Sequence, residues 1–258
     1  MVYPTKCNIA TIPLARRRTI LYVYIHNLFQ TTGNLCASTT PRRASMNSFS
    51  AWQWETLGKR AVEALEKNHF TAAYFPDKEA ALKHALGLVP AGASIGVGGS
   101  ATDKAVGLSA ALAKAGHAVY DHGLPDLTPE QRNEYRHNQL KCDVFITGTN
   151  AVTMKGELVN CDGMGNRVAA MIFGPKKVII LVGANKLVKD LDSAEERIRM
   201  VAAPLNNKRL NTGNPCLQIG ECADCRNPSR ICNIYTLIRR RPIATDMHVL
   251  IIGEELGF

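Results

Sequence analysis

Residues 93–104 read ASIGVGGSATDK: a short apolar run that ends on Gly98-Gly99-Ser100 and opens into a helix-forming segment. The same ending recurs along the chain. Residues 118–122 run into Gly123, 144–147 into Gly148, 178–182 into Gly183 and 249–252 into Gly253. Ala- or Lys-rich stretches of helical character separate most of these runs. Strands alternating with helices build parallel βαβ units. In a parallel sheet all strand C-termini share one edge, and open α/β sheets bind ligands there. The reading is therefore an α/β fold, a mainly parallel Rossmann-like sheet with flanking helices and a glycine-lined functional rim.

Local signals place the remaining elements. Trp54, Leu57, Ala61 and Leu65 recur at helical spacing within residues 52–68. Residues 72–75 read as a strand, and Asp77 as the cap of a helix over 79–88. One helix spans 102–115 and ends at Gly116. Pro129 stands in the first turn of a helix over 128–140. Residues 157–160 read as a hairpin arm, 166–172 as a helix or turn, and 192–202 as a helix capped by Asp192 and stopped by Pro204. Residues 205–246 break the rhythm as a small cysteine-bearing insertion before the last strand, which closes the sheet.

The 258 residues are 46% hydrophobic and 21% charged, enough for one α/β core. The net charge of +9 is uneven. Lys6, Arg16, Arg17, Arg18, Arg42 and Arg43 lie in the first 45 residues, which hold no acid; elsewhere 25 basic residues face 22 acidic ones. With no basic block beyond Arg239, Arg240 and Arg241 and no interleaved aromatics, the core does not read as nucleic-acid binding. The best apolar run, 19–29, is too short and too polar to span a membrane. Residues 1–45 read first as an over-extended start before Met46, with a transit segment or secretory signal as alternatives, and as disordered in each case. Residues 46–258 form the α/β domain.

At Gly96-Val97-Gly98-Gly99-Ser100 the backbone can approach a ligand closely, and Ser100 and Thr102 add hydroxyls suited to an anion. The phosphate-loop Gly-Lys-Ser/Thr and the third glycine of a dinucleotide fingerprint are both missing. A plain turn with Ser100 as N-cap is the alternative. Gly148, Thr149 and Asn150 leave a later strand end, and Asp162, Asn166 and Arg167 follow. Asn185 and Lys186 end the next strand. A parallel sheet brings these groups to one rim. There Asn166 and Arg167 can donate to an anion and Lys186 adds a point charge. The expected ligand is a small anionic metabolite. No catalytic triad stands out. Asp162, Glu157 and the Glu254-Glu255 pair are candidate acids or nucleophiles, and His122 is a candidate base with Asp121 as its orienter.

Residues 147–152, 156–160, Asp162-Gly163, Asn166-Arg167, Phe173-Gly174-Pro175 and 182–188 together resemble the LUD domain family of lactate-utilisation proteins. Gly98-Gly99-Ser100 and Gly107-Leu108 match it too, and the resemblance covers about residues 50–258. It implies a fold like that of sugar-phosphate isomerases, CoA-transferases and formyltetrahydrofolate cyclo-ligase. It also implies a link to lactate oxidation beside iron–sulfur partner subunits, in the cytoplasm. One departure concerns mechanism. Related isomerases carry a catalytic acid in a Gly-Ala-Asp motif where this chain has Gly148-Thr149-Asn150, and Asn150 cannot act as an acid or base near neutral pH.

Cys216, Cys222, Cys225 and Cys232 form Cys-x5-Cys-x2-Cys-x6-Cys, a four-thiolate pattern with neither ferredoxin nor common zinc-ribbon gaps. A [4Fe–4S] cluster, zinc, and free or redox-active thiols are the three readings, and the family resemblance tips the balance toward iron. A cytosolic setting argues against disulfides. Cys142 reads as core; Cys161, beside Asp162, reads as buried or reactive.

Overall fold

The structure is a computed structural model that describes residues 48–258; the readings for residues 1–45, with Cys7 and Cys36, lie outside the described residues. In chain order the strands are β1 (Thr71–Phe75), β2 (Ile95–Val97), β3 (Val119–Asp121), β4 (Val144–Gly148), β5 (Ala151–Thr153), β6 (Leu158–Asp162), β7 (Lys177–Gly183), β8 (Leu187–Val188), β9 (Ile234–Ile238) and β10 (Asp246–Ile252). The helices are α1 (Ser48–Lys67), α2 (Lys78–Gly87), α3 (Ala101–Val106), α4 (Leu108–Lys114), α5 (Pro129–Gln139), α6 (Asn166–Ile172), α7 (Leu191–Arg197), α8 (Ala203–Leu210) and α9 (Cys216–Ile219).

Six strands form an all-parallel sheet in the order β1-β10-β7-β4-β2-β3. The α/β reading holds, and the five runs that end on glycine lie side by side. Strand alternation divides their side chains between two cores. Phe145, Val178, Ile180, Val182, Val249 and Ile251 pack on one face. Val144, Ile146, Ile179, Leu181, Leu250 and Ile252 pack on the other. Burial on both faces explains why these strands read as unbroken apolar runs. The last strand does not close the sheet: β10 lies between β1 and β7, and the edges are β1 and β3.

Three helix boundaries differ from the expectation. The helix expected over 102–115 is broken at Gly107, whose φ is +83°. The buried Asp103 carboxylate accepts from the backbone and hydroxyl of Ser109 and so caps α4 across the break. Asp190, not Asp192, caps α7, its Oδ1 accepting from Ser193 N at 3.0 Å. Pro204 does not stop the chain's helical course. A wide π-turn over Ile198–Ala202 absorbs the proline, which lies in the first turn of α8 where its missing N–H costs little.

A second sheet, in the order β8-β5-β6-β9, was not expected from the sequence. Its strands β5 and β8 have three and two residues, too few to show a period. The expected hairpin arm is β6, antiparallel to both β5 and β9. The cysteine-bearing insertion supplies β9 and is thereby part of the fold. The β5–β6 turn docks on α1, where Asn68 Nδ2 donates to the carbonyls of Lys155 (2.7 Å) and Gly156 (2.9 Å). Gly156 has φ +75°, and a Cβ there would lie 2.4 Å from the Ala64 carbonyl. Gly156→Ala is expected to cost at least about 2 kcal/mol through left-handed strain and displacement of the turn. A thermal melt within a degree of wild type would refute this.

Candidate functional site

From β2 the chain passes to β3 on one side, then returns past β2 to β4 on the other. That reversal makes a topological switch point at the C-terminal ends of β2 and β4, where neighbouring loops diverge and leave a crevice. A cavity of about 400 Å³ opens there. Two glycines keep it open. A Cβ on Gly98 would lie 2.8 Å from Thr147 Oγ1, and one on Gly148 would lie 2.9 Å from Ser100 Oγ.

Gly98, Gly99, Ser100, Gly148, Thr149, Asn150, Asp162, Asn166, Arg167 and Lys186 all line this cavity. Thr102 and Asn185 do not. Thr102 Oγ1 lies behind the floor and donates to Leu256 O. Asn185 turns to the C-terminal segment, its amide donating to Gly257 O and accepting from Leu256 N. The carbonyls and amide of that irregular segment need partners, and these two side chains supply them.

Lys186 is only 3% exposed. Its Nζ donates to Thr102 Oγ1 at 2.8 Å. Burial, together with the nearby Arg197 and Arg167 guanidinium groups, pushes its pKa down to about 7. It is thus an ammonium on the verge of losing its proton at neutral pH.

Arg167 has a different role from the one expected of it. Nε and Nη2 both donate to Asp162 Oδ1. Nη1 donates to Gly148 O and Asn160 Oδ1, each at 3.1 Å. Nη2 also reaches Asn150 Oδ1 and Cys161 O. All five N–H groups are committed to the protein. Arg167 therefore fastens β4, β6 and the loop after β4 into one wall and leaves no N–H for a ligand. Asp162 is held by Arg167 and by Val168 N, so its carboxylate is not available as a base.

The cations that face the cavity with donors to spare were missed in the sequence. Lys104, Arg132, Arg136 and Arg209 line it beside Arg167 and Lys186. Arg132 spends part of its guanidinium on His122 O (2.6 Å) and Pro125 O (3.1 Å). Arg209 is held by Asn206 Oδ1. Arg136 Nε is buried with no hydrogen-bond partner among the described residues. Arg132 and Arg136 lie four residues apart on α5 and so share a face, a spacing readable in the sequence once α5 is known to border the rim.

His122 also lines the cavity, its ring 3.5 Å from the position a Cβ on Gly99 would take. Asp121 does not orient it; that carboxylate accepts from Gly123 N in the turn. Gln139 does, with Nε2 2.9 Å from His122 Nδ1 while also donating to Val97 O and Tyr120 O. Gln139 Oε1 in turn accepts from Asn166. Burial and the Arg136 charge lower the His122 pKa, which keeps the ring neutral at pH 7.

The other candidate acids lie elsewhere. Glu157 accepts from Thr153 Oγ1 in the second sheet. Glu254 accepts from Lys78 N, and neither it nor Glu255 lines the cavity. Cys142 is core, its thiol pushed up to about 12 by burial. Cys161 lines the cavity, and the neighbouring Cys232 thiol together with burial pushes its pKa up. Cys216, Cys222, Cys225 and Cys232 border a separate small void, and all are free thiols. Among the described residues, no three His, Cys, Asp or Glu side chains are arranged to hold a metal ion. Nor is any described helix long and apolar enough to cross a membrane.

The LUD domain profile matches residues 58–252. The chain belongs to the LUD domain family. Membership supports a role related to lactate utilisation. No curated protein sequence matches this LUD domain. Among solved structures, a DUF162 family protein of Deinococcus radiodurans is similar over 78% of this chain and 98% of its own, with 11% identity and a TM-score of 0.43. Ribose 5-phosphate isomerase A of Neisseria gonorrhoeae is similar over 53% of this chain and 65% of its own, with 18% identity and a TM-score of 0.29.

Proposed function

We propose that this LUD domain supports oxidation of lactate or a related organic acid by holding a small organic anion, a carboxylate or phosphate ester, in the strand-end cavity. One observation carries the reading. Among the described residues six basic side chains border the cavity, and the one acidic side chain in its lining, Asp162, is already paired with Arg167. Such a concave, single-sign surface concentrates anions. Arg136 adds a buried donor without a partner, which a carboxylate or phosphate would satisfy. His122 and Gln139 add neutral polar groups for orientation. At about 400 Å³ the half-open cavity has room for a three-carbon acid or a phosphate group together with ordered water. Electrons from such an oxidation would pass to iron–sulfur partner subunits.

An isomerase or CoA-transferase mechanism calls for an available carboxylate at the site. Asp162, Glu157 and Glu254 each hold another part of the fold, which favours the anion-holding reading.

Calorimetric titration of the full chain with lactate, pyruvate and inorganic phosphate tests it. At least one is expected to bind with an affinity that falls with added salt. Arg136→Ala is expected to weaken that binding about tenfold while leaving the melting temperature in place. No heat from any of the three at low ionic strength would rule the reading out.

A further inference from the structure

We propose that Gln139 holds His122 as the neutral imidazole with its proton on Nε2, so that the ring offers the cavity a hydrogen-bond donor and does not act as a base. The ligand atom it faces is then an acceptor oxygen of the bound anion. The place of the proton stands on the protein alone; the role toward a ligand rests on the anion-holding reading.

Gln139 is the last residue of α5 and is fully buried. Its Nε2 lies 2.8 Å from Val97 O, 2.9 Å from Tyr120 O and 2.9 Å from His122 Nδ1. Backbone carbonyls only accept, so these two fix which end of the amide is nitrogen. The reverse orientation would press Oε1 against both carbonyl oxygens. It would also lose the bond that Oε1 accepts from Asn166 Nδ2 at 3.2 Å.

An amide nitrogen accepts no hydrogen bond. A proton on His122 Nδ1 would therefore point at an N–H donor, and among the described residues Nδ1 has no acceptor within reach. The Asp121 carboxylate is engaged elsewhere, accepting from Gly123 N at 2.8 Å. Nδ1 is thus bare, and the single proton of the neutral ring lies on Nε2.

The same surroundings aim that proton at the cavity. Arg132 Nη1 donates to His122 O at 2.6 Å and holds the backbone just after β3. The Cε1–Nε2 edge of the ring faces the glycine turn, since a Cβ on Gly99 would lie 3.5 Å from both atoms. His122 lines the cavity, and its Nε2 has no hydrogen-bond partner among the described residues. Its N–H and Arg136 Nε are two uncommitted donors at one cavity. An anion's oxygens satisfy such donors.

Charging the ring is opposed from several sides. The second proton would go to Nδ1, against Gln139. Burial and the charges of Arg136 and Arg132 on α5 and Arg209 on α8 disfavour the imidazolium, and Asp121 on β3 favours it. Lys104 on α3 adds another positive charge to the lining. A general base here would need a bare Nε2 and would end as an imidazolium. The tautomer denies the first, and the cations oppose the second. The arginines and Lys186 attract the anion, and the His122 N–H sets where one of its oxygens lies.

The test is long-range ¹H–¹⁵N correlation spectroscopy of the full chain, with the His122 signals identified by their loss in His122→Phe. The spectrum should show a bare Nδ1 and a protonated Nε2, with a titration midpoint below the ~6.5 of a free imidazole. A protonated Nδ1 in the neutral ring, or a midpoint at or above that of free imidazole, would overturn the proposal. Calorimetry with inorganic phosphate tests the donor role. His122→Phe keeps a ring of similar size and strands no donor, because Gln139 retains its two carbonyls. It should keep the melting temperature and bind phosphate about tenfold more weakly. His122→Gln, whose Nε2 reaches toward the same place, should recover most of that loss. Equal affinity in wild type and His122→Phe would overturn the donor role. Gln139→Glu gives Nδ1–H an acceptor and should raise the His122 midpoint by at least about one unit; if that variant does not fold by circular dichroism, the wild-type spectrum decides. No heat with wild type would sink the anion-holding reading instead, and the spectrum would still decide where the proton lies.

Discussion

Arg167→Met is expected to destabilise the protein by about 3–5 kcal/mol, because it leaves the Asp162 carboxylate buried without its counter-charge. Asp162 is 8% exposed, and both of its bonds to a cationic group come from Arg167. The substitution also strips donors from Gly148 O, Asn160 Oδ1, Asn150 Oδ1 and Cys161 O in one step. Methionine approximates the length of the arginine stem, so the loss reflects charge and hydrogen bonding more than a cavity. The double variant Arg167→Met/Asp162→Asn removes the stranded charge and should recover part of the loss. Urea denaturation of the two single variants and the double measures the coupling. Additive effects, or an Arg167→Met midpoint equal to wild type, would contradict the assignment of Arg167 as the fastening of the cavity wall. The result also separates two roles that sequence reading merges, since an arginine used mainly to bind a ligand would change affinity and leave stability alone.

Lys186→Met is expected to do the opposite, raising stability while weakening anion binding. The native pKa of Lys186 is about 7 against 10.5 for an ordinary lysine, with burial as the main cause. Below about pH 7 both native and unfolded chains carry the charge, and the native state bears the whole burial penalty. Between about 7 and 10.5 the unfolded chain keeps a proton that the native chain has released, so stability rises with pH across that window. A shift of this size corresponds to a penalty of roughly 3–5 kcal/mol. At pH 6 the methionine variant should therefore be more stable by about 2–4 kcal/mol, and the gap should narrow toward pH 10. Anion affinity of the wild type should fall as pH rises through about 7, since only the ammonium form attracts the ligand. The variant should bind at least tenfold more weakly at pH 6. Denaturation curves at pH 6 and 9 and calorimetry at pH 6 and 8 check both halves. A variant less stable at pH 6 that still binds anions normally would show that Lys186 is a structural residue.

The two expectations show why residue type alone did not assign roles at this site. Arg167 and Lys186 both read as cations offered to a ligand. Only the acceptors around Arg167 reveal that its donors are all spent, and only the burial of Lys186 beside the Arg197 and Arg167 guanidinium groups makes its charge costly. Arg136 and His122 carry no motif, and they matter because α5 and the end of β3 border the same crevice. Asp121, adjacent to His122 in sequence, was the expected orienter, but the ring is held by Gln139, which is 17 residues away. The helix over 102–115 failed as one unit because a left-handed Gly107 and the Asp103 cap are favoured over continuous helical pairing there.

What the sequence by itself determined is the layered α/β fold, the shared rim at the strand ends and ten of the residues around the cavity. These follow from short-range physics. Runs of branched apolar residues that end on glycine can satisfy backbone and burial together only as inner parallel strands, and parallel strands share one C-terminal edge. The tertiary structure decided the rest: the position of β10 inside the sheet, the second sheet that ties the cysteine loop beside the cavity, and which charges are spent and which are offered. Those properties depend on partners far apart in the chain, and a side chain's hydrogen bonds and burial exist only once those partners have met.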